Sequence, residues 1–481
     1  MEAWAKQWLK EQREAGVKCL EIKDIQGKPY VYHSTSIYDK LEKKPKKVST
    51  YLGRLDPVKG LIPKGMRDTA TPQVPRTVKE YGNSKLLHDQ FEELLPALQD
   101  GFPTCWEEII ALTITRVKGY VPLKRIRDEW DRLENVWKIS PNLDPKNMTK
   151  TLKCIGGDRV AQQVIFKYLT SMSQQMVYDL SSIFSRSMSI NEAEKGYNKD
   201  KLHVPQINLA LFCGIDTGLP SMIRPLPGSV KDVATLVNSL AEVDLQGKVL
   251  VLDRGFIAED LIPIFQKRHI DFIQPTRRNS DFYSHRIHLT QNFIFKDRLL
   301  HGGKKKLDDF FVYLFEDEDL ALEEKKTLYT KFESEKIQRS DLNNGIESAG
   351  RILILSTLDR DPKTIYALYK SRDMIEKHFD TYKTELMADK LYLQDSDSLF
   401  GHAFIGFLCL YIYCKILNII KNAECTDKVS PADVLVKFSK VYHITYSDSH
   451  LFSEVPKQVK SLETRLGLNI FLNLCGVKVL K

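Results

Sequence analysis

The sequence predicts an α/β protein with a mixed five-stranded sheet flanked by helices, and with further segments before, within and after that sheet. Two observations indicate this fold. Between residues 174 and 277 apolar strands alternate with helical segments, and Asp216-Thr217-Gly218 is a turn signal between two of the strands. The chain has 481 residues, more than usually fold around a single hydrophobic core, so about two to four domains are expected.

Composition excludes several classes of protein. Apolar residues make up 42% of the chain and aromatic residues 10%, which excludes a disordered or fibrous protein. The eight cysteines include no C-x2-C pair, so neither a zinc ribbon nor a redox motif is expected. No apolar leader follows the first methionine, and the longest apolar run, 403–414, is shorter than the roughly 20 residues of a membrane span. We therefore expect a cytoplasmic protein without membrane contact, in which 403–414 is a buried core helix.

Residues 1–65 are predicted to form a basic β-meander. The strand-like runs are 17–24, 29–38 and 48–52, with a turn at Gln26-Gly27-Lys28 and a lysine-rich connection before the third strand. Residues 1–60 hold 13 Lys and Arg against 8 Asp and Glu, so most of the net charge of +8 lies in this segment. This basic excess permits an anionic partner there, while the rest of the chain is nearly balanced.

Residues 66–173 are predicted to be mainly helical after a linker rich in proline and glycine. Apolar residues recur at helical spacing from residue 84 onward, and Asp144-Pro145 is a cap followed by proline at the first helical position. Further helices are expected near 105–118, 123–137, 145–155 and 158–170.

Residues 174–430 carry the predicted α/β domain. Its five strands are 175–183, 207–215, 221–226, 248–253 and 271–275. A β-rich insertion is predicted at about 278–349, with a strand at 292–296 and an acidic helix at 316–331. A strand at 351–356 and a long helix from 362 to about 387 follow, and residues 431–481 are predicted to be a helical tail.

Two aspartates are predicted at the ends of apolar strands: Asp179 follows 175–178 and Asp253 follows 249–252. A carboxylate there is costly to bury without a metal or a strong donor, and α/β sheets bind ligands at the carboxyl ends of their strands. A cap or turn role fits each aspartate alone equally well. Two of them in one domain favour a functional site.

Four polar residues on the predicted long helix share one stripe. They are Tyr369, Arg372, Glu376 and Lys383. At about 100° per residue their spacings of 3, 4 and 7 place them within roughly 60° of one helix face. The alternative is a solvated face with an i,i+4 pair between Arg372 and Glu376. The spacing does not distinguish Glu376 from Asp373 or Asp380, which lie close to the same stripe.

This stripe, Tyr369-x2-Arg372-x3-Glu376-x6-Lys383, resembles the Y-x2-R-x3-E-x6-K signature of DDE transposases of the insertion-sequence 4 group. Segments 178–179, 228–232 and 252–256 resemble, in order, the family's first aspartate, the turn into the next helix and the second aspartate. The resemblance covers about residues 170–420. It implies an RNase H-like fold for the mixed sheet, and a mainly β insertion between the second aspartate and the glutamate.

The resemblance also implies an activity and its residues. The protein would be a cut-and-paste DNA transposase that binds terminal inverted repeats and catalyses metal-dependent phosphodiester cleavage and strand transfer. Asp179, Asp253 and Glu376 would be the catalytic residues and would bind two Mg²⁺ ions, with Mn²⁺ as a substitute. The residues that would hold DNA phosphates are Tyr369, Arg372, Lys383 and Arg254, because arginine suits bidentate phosphate contacts.

The implied partners are double-stranded DNA, as transposon ends and as target, and a second copy of the chain on paired ends. The tail 431–481 is our candidate for the contact of this homodimer. A prokaryotic, nucleoid-associated location follows from the same resemblance.

DNA contacts are also expected from the meander 1–65 and the helical region 66–173. The candidates in the meander are Lys43, Lys44, Lys46 and Lys47 at a predicted hairpin tip, which a solvated connection explains equally well. In well-studied members of the family a tryptophan of the insertion stacks on a flipped base, but all five tryptophans of this chain lie outside 278–349. The aromatic residues that could stack in its place are Phe282, Tyr283, Phe293 and Phe295.

Two other hypotheses fit parts of the sequence. One is a domesticated or inactive relative that only binds DNA, although all three acids are present. The other is an aspartate-based phosphatase, which also carries an aspartate after an apolar strand. That class needs a second acid two residues later, where this chain has Ser181, so we set it aside.

Overall fold

The computed structural model describes residues 2–480 except 26, 40–42, 66–73, 186, 197–203, 231, 257, 448, 473 and 475–478. The chain divides into two compact units, Met1–Arg76 and Thr77–Lys481. The segments that the sequence assigns to helices, to the α/β domain and to the tail all lie in the second unit.

The N-terminal unit is a four-stranded antiparallel meander with one helix. Its elements are α1 (Ala3–Glu14), β1 (Leu20–Ile25), β2 (Lys28–Asp39), β3 (Lys44–Asp56) and β4 (Gly60–Pro63), and the strands pair in chain order. Ala5 of α1 packs with Leu20, Val31 and Leu55 in a small core. The sequence predicts the meander but not α1. The prediction of a lysine-rich connection before the third strand is wrong, because β3 already begins at Lys44.

The second unit combines helices with two sheets. Its strands are β5 (Thr77–Glu80), β6 (Gln175–Phe184), β7 (Gln206–Gly214), β8 (Pro220–Pro227), β9 (Val249–Val251), β10 (Asp271–Pro275), β11 (Gln291–Phe295), β12 (Arg298–Leu307), β13 (Phe310–Asp317), β14 (Arg351–Ser356), β15 (Tyr442–Thr445), β16 (Ser449–Phe452) and β17 (Val479–Leu480). Its α-helices are α2 (Gly82–Phe91), α3 (Leu95–Gly101), α4 (Trp106–Arg116), α5 (Ile126–Asp131), α6 (Pro145–Gly157), α7 (Arg159–Ser171), α8 (Asp232–Ser239), α9 (Ala258–Arg268), α10 (Glu318–Glu333), α11 (Arg339–Ser348), α12 (Pro362–Lys370), α13 (Asp373–Asp380), α14 (Ser396–Asn422), α15 (Pro431–Phe438) and α16 (Lys457–Arg465).

The large mixed sheet has nine strands in the order β11-β12-β13-β14-β10-β9-β6-β7-β8. Strands β6, β7 and β8 form an antiparallel meander, and β9 and β10 run parallel to β6. The prediction of a five-stranded sheet is wrong, because β14 pairs with β10 and the insertion strands β11 to β13 then extend that edge. An unpaired strand edge exposes backbone donors and acceptors. The strands of the insertion satisfy these groups by pairing at that edge.

Helix α14 is long and apolar and lies in the core. The helix has 27 residues and is long and apolar enough to cross a membrane. The expectation that this apolar segment is too short to span a membrane is therefore wrong. However, 78% of its most apolar window is buried inside the protein, where α14 packs against β8 and the helices α2, α4, α6 and α15. Burial of each large apolar side chain stabilises the fold by about 1.5–3 kcal/mol. The prediction of a buried core helix is therefore confirmed by the packing of α14, and not by the length of its apolar segment.

The C-terminal segment is not the helical tail that the sequence predicts. Helices α15 and α16 flank a hairpin of β15 and β16, and β15 pairs with β5 at the start of the unit. Val434, Leu435 and Phe438 are buried in the same core as the sheet. The four-residue strands of the hairpin are too short to give a clear alternating pattern, which explains the error.

Gly156 and Gly157 offer a matched test of the packing between α6 and α14. A β-carbon at Gly156 would come 1.7 Å from the carbonyl oxygen of Asp397, whereas one at Gly157 would lie 3.9 Å from the Asp397 carboxylate. We expect Gly156→Ala to lower the free energy of unfolding by about 1–3 kcal/mol. Gly157→Ala should be neutral or slightly stabilising, because alanine favours a helix by about 0.5–1 kcal/mol over glycine. Equal thermal midpoints for the two variants, measured by circular dichroism, would contradict this close approach.

Candidate active site

The two predicted aspartates lie level with each other on neighbouring parallel strands. Val177 on β6 is level with Val251 on β9, so two residues further along brings Asp179 beside Asp253. Neighbouring strands are about 4.8 Å apart. The prediction that Asp179 ends its strand is wrong, because β6 continues to Phe184, whereas Asp253 does follow the end of β9.

A break in the predicted long helix shapes the other half of the site. The sequence predicts one helix over 362–387, but the structure has α12, α13 and a π-turn over Thr381–Glu385. The interruption lies at Ser371 and Arg372, which keep right-handed helical φ and ψ but lie in a short stretch of i→i+3 backbone hydrogen bonds. The Ser371 hydroxyl donates to a backbone carbonyl of the preceding turn, a bond that competes with regular helix. Helix α13 packs against β6 and β7, which directs the start of α13 toward the aspartates.

Arg372 joins the strand-borne acid to the helix-borne acid. Its Nη1 lies 2.5 Å from Asp253 Oδ1, and its Nη2 lies 3.5 Å from Glu376 Oε1. The side chain of Arg372 is only 16% exposed, but Asp253 is 36% and Glu376 52% exposed, so solvent screens the longer pair with Glu376 more than the pair with Asp253. Asp373, the alternative acid on this helix, instead lies 3.9 Å from Lys296. The structure therefore favours Glu376 over Asp373 as the partner of the aspartates.

All three acids act on the same cation. Burial of the Arg372 guanidinium disfavours its charged form, but the acidic side chains around it outweigh burial and raise its pKa; among them Tyr369 is neutral near pH 7. Those groups, in order of effect, are Asp253, Tyr369, Asp179 and Glu376. The buried Tyr369 ring lies 5.9 Å from the guanidinium carbon, within the range of a cation–π contact.

Lys383 in the π-turn reaches the strand of Asp179. Its ammonium donates to Ser181 Oγ at 2.7 Å and to the carbonyl oxygen of Ser182 at 2.9 Å. Side chains alternate along a strand, so Ser181 and Asp179 share a face of β6. The four residues of the predicted helical stripe thus remain on one side of the sheet although the helix is broken.

Arg254 lies near the insertion as well as near the acids. Its backbone N–H donates to Asp253 Oδ1 at 2.6 Å. Burial raises the pKa of Tyr283, in the insertion, and of Tyr369, and the charge of Arg254 opposes the shift in both. A guanidinium at this position can contact a phosphate that passes between the insertion and the acids.

The aromatic residues of the insertion differ in exposure. Phe293 is buried in the core beside Phe315, so its candidacy for stacking on a base is wrong. Phe282, Tyr283 and Phe295 remain partly exposed.

Sequence reasoning missed a buried pair directly behind the acids. Cys213 on β7 and His378 on α13 are in contact, with 3.1 Å between Sγ and Nδ1. Burial raises the pKa of the Cys213 thiol and, with the charge of Lys421, lowers the pKa of His378 to about 4, so both are neutral near pH 7. The only signal in the sequence is that His378 lies two positions after Glu376, on the inner face of the same helix.

Within the described residues, one group of three side chains of types that can bind metal has its donor atoms within 4.8 Å of one another. The group consists of His88, Asp89 and Glu92. Asp89 is already paired with Lys85 at 2.5 Å. The acids at Asp179, Asp253 and Glu376 form no such tight group here, and the Arg372 guanidinium binds two of them.

The basic cluster of the N-terminal unit spans both faces of β3. Lys43 precedes the strand with a left-handed φ of 47°, and all four lysines are exposed. Lys44 and Lys46 share one face, whereas Lys47 lies on the other and pairs with Glu21 at 2.7 Å.

A tyrosine cluster occupies the meander face opposite α1. The ring centroid of Tyr51 lies 5.3 Å from that of Tyr32 and 6.0 Å from that of Tyr30, and the Lys23 ammonium lies 4.5 Å from the Tyr32 ring centroid. Arg54 is the cross-strand partner of Tyr30. Basic and aromatic side chains therefore alternate on this sheet face.

One comparison with known proteins covers the part of the chain that carries the three acids. Residues 175–412 match the family model described as transposase DDE domain. This segment resembles a transposase DDE domain. A piggyBac transposase, solved by cryo-EM in a synaptic complex with hairpin DNA, matches with a TM-score of 0.41 and 11% identity over 70% of each chain. No curated protein matches the sequence. The family match supports a metal-dependent DNA transposase and contains all three acids.

Buried histidines make the stability of the fold dependent on pH. Burial, with the charge of Lys421 for His378 and of Arg116 for His402, lowers the pKa of both to about 4. In the unfolded chain each histidine binds a proton below about pH 6.5, so the unfolded state holds more protons between pH 6.5 and 4. Stability should therefore fall with acidification through that range, by roughly 3 kcal/mol for each histidine at most.

Urea unfolding at pH 7.5 and at pH 5 would measure this loss. His378→Gln and His402→Gln should each reduce the difference between the two pH values, whereas His288→Gln, at an exposed position, should leave it unchanged. An unaltered difference in both buried variants would contradict the assignment.

Proposed function

We propose that the protein is a DNA transposase of the insertion-sequence 4 group, which cuts transposon ends at inverted repeats and joins them to target DNA. The observation that carries this proposal is the contact of Arg372 with Asp253 and Glu376, with Asp179 level with Asp253 on the neighbouring strand, within the segment that matches a transposase DDE domain. Three acids brought together from two strands and a helix repel one another, so such a cluster is maintained only where a cation compensates.

The strand order supports an RNase H-like fold. Two parallel strands, β9 and β10, are added beside the first strand of the antiparallel meander β6–β8. The acids follow this topology: Asp179 lies on the first of the five strands, Asp253 follows the fourth, and Glu376 lies on a helix that packs on the same sheet.

The donor set suits Mg²⁺, with Mn²⁺ as a substitute. Asp179, Asp253 and Glu376 offer only carboxylate oxygens, the hard ligands that these ions prefer. When bound, a pair of such ions would activate the attacking water or 3′-hydroxyl and stabilise the leaving oxygen.

The basic residues of the site have a second role in this proposal. In the DNA-free chain Arg372 neutralises Asp253 and Glu376 and so holds the strand and the helix together. Its planar fork equally suits a phosphate, so Arg372 can exchange a carboxylate for the DNA backbone when substrate binds. Lys383 and Arg254 would contact phosphates on either side, and the buried Tyr369 supports the guanidinium from behind.

The N-terminal unit is proposed to bind duplex DNA. Its support is the exposed pair Lys44 and Lys46 and the tyrosine cluster with Lys23 and Arg54 on the sheet face opposite α1. DNA binding by the helical segments of 66–173, the homodimer on paired ends and the prokaryotic, nucleoid-associated location complete the proposal. The homodimer and the location rest on the family resemblance, whereas residues 66–173 lie outside it.

The three acids can be tested one at a time. Asp179→Ala, Asp253→Ala and Glu376→Ala should each reduce Mg²⁺-dependent cleavage of DNA that carries the element's ends by about a thousandfold or more, because several kcal/mol of transition-state stabilisation are removed. Asp380→Ala is the matched control, an exposed carboxylate on the same helix, and should retain activity.

Undiminished cleavage by any of the three variants would show that the replaced residue is not one of the catalytic acids. An inactive wild-type chain that still binds the ends would instead favour the domesticated, DNA-binding relative. Thermal denaturation of each variant separates loss of chemistry from loss of fold.

The basic cluster of the meander can be tested by salt dependence. Replacing Lys44 and Lys46 by Gln should weaken DNA binding and reduce the slope of log K against log salt by about 0.9 for each phosphate that the variant no longer neutralises. Lys47→Gln should change the slope less, because Lys47 is already paired with Glu21. An unchanged slope in the double variant would instead favour the alternative, in which these lysines are solvated and do not contact DNA.

A further inference from the structure

A hydrogen-bonded chain of Glu134, His443 and His450 lies outside the carboxylate site and has no part in the proposed transposition chemistry. Glu134 Oε2 lies 2.9 Å from His443 Nδ1, and His443 Nε2 lies 3.0 Å from His450 Nδ1. The two imidazole rings are nearly perpendicular, at 88°, with their centroids 5.1 Å apart. Two ring nitrogens thus face each other at close range.

The carboxylate fixes which nitrogen of His443 carries the proton. A carboxylate accepts hydrogen bonds, so Nδ1 of His443 donates to Glu134 and Nε2 keeps its lone pair. That lone pair points to His450. Histidines that bind metals commonly donate their other N–H to a carboxylate in this way, which orients the ring and makes the ligand nitrogen more basic.

The spacing of the two nitrogens suits a transition-metal ion. With metal–nitrogen bonds of about 2.05 Å, donors 3.0 Å apart subtend about 94° at an ion that lies off the line between the two nitrogens, so both rings would turn to direct their lone pairs at it. This is close to two adjacent positions of a square-planar or octahedral ion, and a widening of about 0.3 Å would give a tetrahedral one. When an ion is bound, His450 would carry its proton on Nε2 in place of Nδ1.

We propose that His443 and His450 bind a divalent transition-metal ion, of the kind that imidazole prefers (Zn²⁺, Ni²⁺ or Cu²⁺), with Glu134 orienting His443 and water filling the other positions. His443 is 19% exposed and Glu134 25%, so an ion and its waters can reach the site. Imidazole nitrogen is too soft a ligand for Mg²⁺, so this site is chemically distinct from the three carboxylates.

The ion would tie together three separate parts of the chain. His443 lies on β15 and His450 on β16, so a shared metal would clamp the two strands of the C-terminal hairpin. Glu134 follows α5, and its backbone N–H donates to the carbonyl of Glu80 on β5, the strand that pairs with β15. The effect we expect is therefore on stability, since a ligand that binds only the folded state stabilises it.

The test is a thermal denaturation of the full chain, stripped of metal with chelator and then titrated with Ni²⁺ or Zn²⁺. Excess Mg²⁺ is present throughout to occupy the carboxylate site. The wild-type melting temperature should rise with metal and saturate. His443→Gln and His450→Gln should each abolish this rise, and Glu134→Gln should shift the titration to about 10–100-fold higher metal.

His288→Gln, at an exposed histidine of the insertion, is the matched control and should titrate like the wild type. The exposed thiols Cys19 and Cys154 are present in every variant, so their metal binding cancels in the comparison. Bound Cu²⁺ should also show the paramagnetic resonance signature of two nitrogen ligands, reduced to one in His450→Gln. A titration that is identical in wild type, His443→Gln and His450→Gln would overturn the proposal.

Discussion

Burial of α14 is the constraint on which the second unit depends. This helix is apolar on nearly every side, so it is stable in water only when other elements cover it, and it packs against four helices and the strand β8. Gly156 and Gly401 allow the backbones of α6 and α14 to approach closely, because a β-carbon at either position would collide with a carbonyl oxygen of the other helix. The helical region, the sheet and the C-terminal segment therefore share one hydrophobic core.

The acids rest on that scaffold through a balance of charge. The parallel pairing of β6 and β9 brings two carboxylates level, and α13 adds a third. Without a cation their mutual repulsion would favour protonation or separation. Arg372 supplies the cation in the free chain, and the pair of Cys213 and His378, which lies between the sheet and α13, is neutral and adds no charge. In the proposed function, binding of metal and DNA would displace this internal cation.

Local pattern was enough to predict the elements that have a strong signal of their own. The apolar strands β6 to β10, the helix α6 after its Asp144 cap and the signature residues on α12 and α13 all follow from spacing and caps. The sequence pattern gave wrong predictions where long-range strand pairing or packing determines the local structure. The insertion strands joined the main sheet, a hairpin of two four-residue strands paired with β5, and the helix over 362–387 tightened into i→i+3 backbone bonding at Ser371 and Arg372.

The sequence by itself determined which residues could do chemistry, since Asp179, Asp253, Glu376 and their basic neighbours follow from residue type and spacing along the chain. Only the tertiary structure decided which of them meet. Strand register is a long-range pairing that brings Asp253 level with Asp179, and the turn of α13 selects Glu376 over Asp373 as the partner of Arg372. The chain of Glu134, His443 and His450 shows the same limit, because Glu134 precedes the two histidines by about three hundred residues and reaches them only through the pairing of β15 with β5.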